Sequence, residues 1–339
     1  MIFIADIGEL YHQGGTHYEI PYGYTEIGEK AFNSCRHLTT SVTIPESITK
    51  IDKSAFWDCD RLEKIEIPAS VKIIGKAAFK YCRSLQDVSL PNSIKTLCES
   101  TFAYCESLKS IAIPSSVKYM NGACFNECHS LNSVLIPDSV RYLGPGAFKK
   151  CISLKHIDLP TSIDTISEDT FAECTGLESI RLTGSIKTIG NHAFDWCTSL
   201  KNVVLPGSIT FIGVRAFANC KEITRVEIPR SIIEIPDFLF RGCTGLTDVK
   251  LPRSIQKIGE AAFADCSSLN RIQIPNSVIT VGDEVFKSCS KLTNISIPDS
   301  VQIIGRGVFK GCHKLKITTP RDSCAWQYAK NHGIPCEEP

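Results

Sequence analysis

Long apolar runs are missing from this chain. No stretch approaches the roughly 20 consecutive apolar residues that a bilayer-crossing helix needs, so no membrane insertion is expected. A charge excess is missing too: 37 Lys and Arg stand against 36 Asp and Glu, a formal net charge of +1. A general grip on nucleic acid or an anionic membrane requires a basic surplus, and neither partner is expected. The sequence has no G-x-x-x-x-G-K-[ST] phosphate loop, no H-E-x-x-H pair and no C-x-x-C pair. Its 8 His are scattered. Ser recurs only as a corner residue, so no Ser-His-Asp grouping can be inferred. No enzyme activity, cofactor or metal is expected. The first five residues are apolar, but Asp6 and Glu9 follow with no basic segment before them and no long apolar core. This start does not read as a signal peptide.

Cysteine is abundant, with 17 residues. In a small secreted chain that count suggests a disulfide framework. The spacing points elsewhere. Phe occurs at 32, 56, 79, 102, 125, 148, 171, 194, 217, 240, 263, 286 and 309, one step of 24 residues and the rest of 23. Cys follows each Phe by three residues, from Cys35 to Cys312, and Leu follows each Cys by three, with Ile223 the exception. So many fixed columns mark a stacked-repeat architecture.

One copy runs from Leu62 to Cys82. Leu62, Ile65 and Ile67 suit a short strand with one face buried. Pro68 ends the strand, because proline has no N–H for the ladder. Ser70 stands at the corner, where its hydroxyl can satisfy backbone of its own turn or of a neighbouring coil. Val71 and Ile74 turn inward. Gly75 reads as a positive-φ corner. Ala78, Phe79, Cys82 and Leu85 have the spacing of one apolar helical face, long enough for a turn or two. No copy buries its apolar face alone, and stacking builds a continuous core.

The expected fold class is α/β: a solenoid of about 13 coils of 23 residues. A helical side near 10 Å wide exceeds the strand spacing of about 4.8 Å. Parallel strands are therefore expected on the concave face, with short helical or irregular turns on the convex one. Residues 1–14 are expected to be an N-terminal cap, 15–320 the repeats and 321–339 a C-terminal cap. In that cap Ser323 can start a helix from Cys324 to Asn331, closed by Gly333 and Pro335, with Trp326 and Tyr328 as a lid.

The motif Leu-x-x-Ile-x-Ile-Pro-x-Ser-Val-x-x-Ile-Gly-x-x-Ala-Phe-x-x-Cys resembles the BspA-type leucine-rich repeats. The segment Cys324-Ala-Trp-Gln-Tyr-Ala-Lys-Asn-His-Gly-Ile-Pro335 looks like the terminal cap common in that family. The resemblance implies a right-handed leucine-rich-repeat solenoid and a binding role. Characterised members are mostly surface or secreted adhesins, so a host or cell-surface protein is the implied partner. The competing reading is an intracellular interaction scaffold. Reduced thiols and the missing signal peptide favour a reducing compartment.

Stacked column cysteines would hold their Cβ atoms about 4.8 Å apart, whereas a disulfide prefers about 3.8 Å. Buried, reduced thiols are expected. Cys98, Cys124, Cys324 and Cys336 lie outside the column. Whether Cys324 and Cys336 bridge is left open. Cys124, Cys128 and His129 form the densest cluster of soft ligands, but Cys128 should face inward and His129 outward. Asn294-Ile-Ser296 is a lone glycosylation sequon placed in a strand.

The exposed rows carry the binding expectations. Between the two aliphatics of the first strand stand Ala112 and Leu135, a small apolar step, followed by Asp158 and Arg181. After the inward Val or Ile stand Lys72, Lys95, Lys118 and Arg141, with Tyr119 and Tyr142 in the next column. Like charges about 5 Å apart repel, so folding does not ask for them. A basic strip with aromatics suits an acidic protein segment or a sulfated glycan. A solvated lysine face that discourages lateral pairing would look the same. A monomer is expected.

Overall fold

The computed structural model describes residues 16–33 and 39–339. The expected cap at residues 1–14, and Cys35 of the cysteine column, lie outside them. The chain divides into two compact units, residues 1–177 and 178–339. Each is a stack of coils whose first strands and second strands pair in parallel, in several short ladders.

In the first unit, His17–Glu19, Ser41–Thr43, Lys64–Glu66 and Asp87–Ser89 form a four-stranded parallel ladder. Tyr18 pairs with Val42, Val42 with Ile65 and Ile65 with Val88, so equivalent repeat positions are aligned. The two-residue second strands pair likewise, Glu26–Ile27, Lys50–Ile51 and Ile73–Ile74 in one ladder and Thr96–Leu97, Tyr119–Met120 and Tyr142–Leu143 in another. The second unit repeats the plan. Its second-strand ladder joins Glu234–Ile235, Lys257–Ile258, Thr280–Val281 and Ile303–Ile304.

The inward columns are buried as the sequence predicts. Phe56, Phe79, Phe102 and Phe125 are fully enclosed, as are Phe194, Phe217, Phe240 and Phe263. Their rings stack nearly parallel, 5.1 Å apart for Phe56 and Phe79 and 5.2 Å for Phe194 and Phe217. Each such pair is worth about 0.5–1.5 kcal/mol beyond its buried area. The cysteine thiols donate to the Phe carbonyl of the preceding coil: Cys82 to Phe56 and Cys128 to Phe102, each at 3.2 Å, and Cys243 to Phe217 at 3.1 Å. The column thus holds a small apolar group whose weak donor is satisfied. Cys82, Cys128 and Cys243 carry no disulfide.

The Ser column bonds to the neighbouring coil. Ser70 Oγ donates to Ile48 O at 2.6 Å, Ser139 Oγ to Val117 O at 2.8 Å and Ser208 Oγ to Ile186 O at 2.7 Å. Ser116 departs from the pattern, its buried hydroxyl having no partner.

Two local expectations are corrected. The segment from Lys76 to Tyr81 is a run of turns, not helix, with left-handed backbone at Ala77 (φ 55°) and Tyr81 (φ 67°). The amides of Ala77, Phe79 and Tyr81 donate across to Glu99, Thr101 and Ala103, while those of Ala78, Lys80 and Cys82 close back onto Gly75, Ala77 and Phe79. A helix would spend its amides on itself and hold neighbouring coils about 10 Å apart. The alternating path lets the turn side pair at strand-like spacing and satisfies its backbone. The glycine correction follows from the same closeness. Gly75 has no positive φ; a Cβ there would stand 2.5 Å from Lys53 N of the preceding coil. At Gly213 it would stand 2.4 Å from Asn191 N. Glycine is required here for close approach.

The C-terminal helix spans Cys324–Asn331, and Ser323 Oγ accepts from Trp326 N at 3.1 Å. Tyr328 meets Phe309 edge-on at 6.0 Å, and its hydroxyl accepts from Val308 N. Trp326 is half-buried with Lys330 over its ring at 5.2 Å. A closing strand, Cys336–Glu337, then pairs with Lys316–Thr318. Cys324 and Cys336 are free, half-buried thiols.

Candidate interaction surface

Short strands with one buried face leave alternate side chains outside, and stacking turns each outward position into a row. In the first unit, Lys72, Lys95, Lys118 and Arg141 are all exposed. Lys118 N donates to Lys95 O at 2.8 Å, and Arg141 N to Lys118 O at 2.9 Å, so these cations sit on successive coils. Tyr119 pairs directly with Tyr142. Their rings, 48% and 43% exposed, lie beside the cations in the next column.

These charges stand in one row on successive coils, without ion pairs among the described residues. Some other cations of the unit meet carboxylates of an adjacent coil: Lys76 with Glu99 at 2.8 Å, Lys149 with Asp169 at 3.3 Å, Lys150 with Glu127 at 2.7 Å. Among the described residues, none of Lys72, Lys95, Lys118 and Arg141 has such a partner. The row presents cations and aromatic faces together, a combination that attracts anionic groups.

Ala112 and Leu135 are paired in the first-strand ladder, and Leu135 is 77% exposed. They lie across the Pro-x-Ser corner from the basic row, so the sequence-predicted residues form two surfaces. Asp158 is exposed in the first-strand row of the same unit, and Arg181 is exposed in the second unit. Cys124, Cys128 and His129 do not converge: both thiols are buried, while His129 Nε2 contacts Glu127 at 2.9 Å.

Sequence reasoning missed an aromatic cluster on the turn side. Trp57 meets Tyr81 at 6.0 Å and Tyr81 meets Tyr104 at 4.5 Å, with Lys80 and Arg83 over the rings. Its signal was a column two residues after Phe, holding Tyr81 and Tyr104. In the second unit Asp195, nearly buried, accepts from Arg215 Nη2 and Asn219 Nδ2 at 3.1 Å each, a cross-coil brace.

Burial disfavours the thiolate of the column cysteines, pushing Cys174 and Cys243 up to about 12. Such thiols are poor nucleophiles and ligands. Among the described residues, no group of three or more His, Cys, Asp or Glu side chains is placed to hold a metal ion.

The repeat pattern and the stacked architecture agree with known proteins. Residues 10–132, 119–247 and 210–326 match the BspA type leucine-rich repeat region. The chain belongs to this family. A leucine-rich repeat protein from Bacteroides ovatus is similar in structure, with a TM-score of 0.82 and 32% identity over 95% of this chain and 92% of that one. A leucine-rich cell surface protein from Faecalibacterium prausnitzii gives a TM-score of 0.61 and 26% identity, covering 93% of this chain and 90% of that one. A third, from Eubacterium ventriosum, shares the fold at 22% identity and a TM-score of 0.60, covering 87% and 88%. Among curated proteins, none matches the sequence. This BspA-type chain is therefore a repeat scaffold.

Proposed function

We propose that the chain is a non-enzymatic, adhesin-like binding scaffold, secreted or held at the cell surface, that engages an acidic segment of a host or cell-surface protein. The observation that carries this reading is the row Lys72, Lys95, Lys118 and Arg141, stacked coil upon coil with no ion-pair partner among the described residues and flanked by Tyr119 and Tyr142. Three of them, Lys95, Lys118 and Arg141, precede strands of one parallel ladder, and cations so held are preorganised for an extended anionic partner, which lowers the ordering cost of binding. The Faecalibacterium relative, described as a cell surface protein, supports the location. A second reading, an intracellular interaction scaffold, is favoured by the many buried thiols that carry no disulfide.

The test replaces Lys95, Lys118 and Arg141 together with Ser in the full chain and measures retention on an acidic polypeptide matrix. Loss of retention, with thermal unfolding unchanged, is expected; unchanged retention removes the proposal. A parallel heparin column separates the partner classes, since retention on heparin alone would replace the protein partner with a sulfated glycan. Fractionation of the native cells decides between the two locations.

A further inference from the structure

A second basic feature stands at a corner of the other unit. Among the Pro-x-Ser corners from Ser47 to Ser300, the middle residue is a cation only at Arg230 and Arg253, on successive coils. Ser254 Oγ donates to Ile232 O at 2.7 Å, so the two corners are stacked. Coils at strand spacing place these arginines about 4.8 Å apart. Both are exposed and have no ion pair among the described residues. Like charges that close repel, so the fold does not ask for them. Two grooves open beside them. One, of about 590 Å³, has Glu227, Arg230, Lys250 and Arg253 in its lining. The other, of about 1090 Å³, is lined in part by Asp248, Lys250, Arg253 and Arg271, with the neutral Gln273 and Asn276.

The carboxylates of these grooves already have cation neighbours. Glu227 pairs with Lys250 at 2.7 Å, and Asp248 stands in register with Arg225 on the adjoining strand. That leaves Arg230, Arg253 and the exposed Arg271 to an outside anion. Two stacked guanidiniums select among anions. Both oxygens of a carboxylate are engaged by a single guanidinium fork. A sulfate ester has three terminal oxygens, so it can accept from both forks at once. The rest of the lining selects among carriers. None of the unit's exposed large apolar side chains, Phe211, Ile233 and Ile279 included, lines either groove. A protein partner would find no apolar anchor there. Gln273, Asn276 and Ser296 instead offer hydrogen bonds to hydroxyl groups.

We infer that this corner binds a sulfated polysaccharide. Arg230 and Arg253 together clamp one sulfate ester, Arg271 meets another further along the sugar chain, and the neutral polar residues meet its hydroxyls. The site lies in the second unit and stands independently of the basic row proposed for the first.

The experiment follows binding of a fluorescein-labelled heparin dodecasaccharide to the full chain by anisotropy. Replacing Arg230→Ser, Arg253→Ser and Arg271→Ser together should weaken binding by about tenfold or more, since each change removes charge-assisted hydrogen bonds. Arg230→Lys with Arg253→Lys keeps the charge but removes the forks, and should weaken binding by about threefold or more. The Lys95→Ser, Lys118→Ser, Arg141→Ser variant removes as much charge from the first unit and should bind the oligosaccharide as the unaltered chain does. A desulfated oligosaccharide of the same length should not bind. Circular dichroism checks that each variant is folded, as the exposed positions lead one to expect. Equal affinity for the arginine-to-serine variant overturns the inference, as does full binding by the lysine variant or of the desulfated sugar. So does an equal loss in the first-unit variant, which would reduce the effect to net charge, or binding of a phosphoserine peptide through these arginines without binding of the oligosaccharide.

Discussion

The second-strand rows of the two units share one backbone and display different chemistry. In the first unit, successive coils present Lys72, Lys95, Lys118 and Arg141 beside Tyr119 and Tyr142. In the second, the same column reads Lys187, Thr210, Ile233, Gln256, Ile279 and Gln302, and the next carries Phe211 and Ile303. Yet the inward neighbours barely change: Val71, Ile94, Val117 and Val140 in one unit answer Ile209, Ile232, Ile255 and Val278 in the other, all buried. The contrast separates two kinds of constraint. An inward position must fit the coil above and the coil below, so its identity repeats. An outward position meets solvent or a partner, so it varies. Exposed apolar residues scattered singly are ordinary on a protein surface, whereas unpaired cations in consecutive coils need a reason beyond folding.

If this division holds, matched changes at inward positions cost alike in both units. Phe102→Ala and Phe263→Ala should each destabilise by about 3–5 kcal/mol, the usual cost of emptying a large buried site. Denaturant unfolding of the two variants tests this, and a marked difference between them breaks the comparison.

The thiol column gives a comparison in pH. Burial raises Cys174 in one unit and Cys243 in the other to about 12, from an ordinary value of 9.0. The unfolded state loses these protons first, so stability is complete below about pH 9 and falls as pH rises toward the folded value. Each buried thiol should steepen the fall by about 1.4 kcal/mol per pH unit in that window. Thermal midpoints measured from pH 8 upward should therefore drop less steeply in Cys174→Ala and in Cys243→Ala than in the unaltered chain, and by similar amounts.

A smaller effect is expected where coils approach closely. Gly75→Ala and Gly213→Ala each force a methyl group against the preceding coil's backbone and should cost about 1–3 kcal/mol. Gly207→Ala, whose added Cβ would meet nothing within 4 Å, should stay within about 0.5 kcal/mol of the parent. Equal costs at all three positions would sever the glycine column from coil spacing.

The smallest effect belongs to the outward rows. Removing Lys95, Lys118 and Arg141 should leave stability unchanged or raise it by a few tenths of a kcal/mol, as like-charge repulsion is relieved. Gln256→Ser in the equivalent column of the second unit should do nothing measurable. A large loss from the triple change would mean that the basic row serves the fold.

Much of this was legible in the residues because a repeat reports each position many times. Phe79 or Cys82 alone says little; the recurrence of both in every coil declares a buried column. Ser70 was legible as a corner residue, and its bond to Ile48 of the neighbouring coil was one of two readings. The helix after Ser323 was readable because its cap and its closing glycine are local signals. The strand Cys336–Glu337 was not, since two residues carry no periodicity. The turn segment was misread for a similar reason: Ala78, Phe79, Cys82 and Leu85 have helical spacing, but no propensity records that a neighbouring coil supplies the carbonyls. Of the surface residues, Lys72, Lys95, Lys118 and Arg141 were visible as a column.

The order of residues by itself determined the period, the inward columns and the alignment of like with like, because each copy has an apolar face that only another copy can cover. Tertiary structure decided how the turn side runs, why glycine sits at position 75 and where the strand ladders break. Those depend on hydrogen bonds and clearances between coils 23 residues apart, distances over which a local pattern has no say.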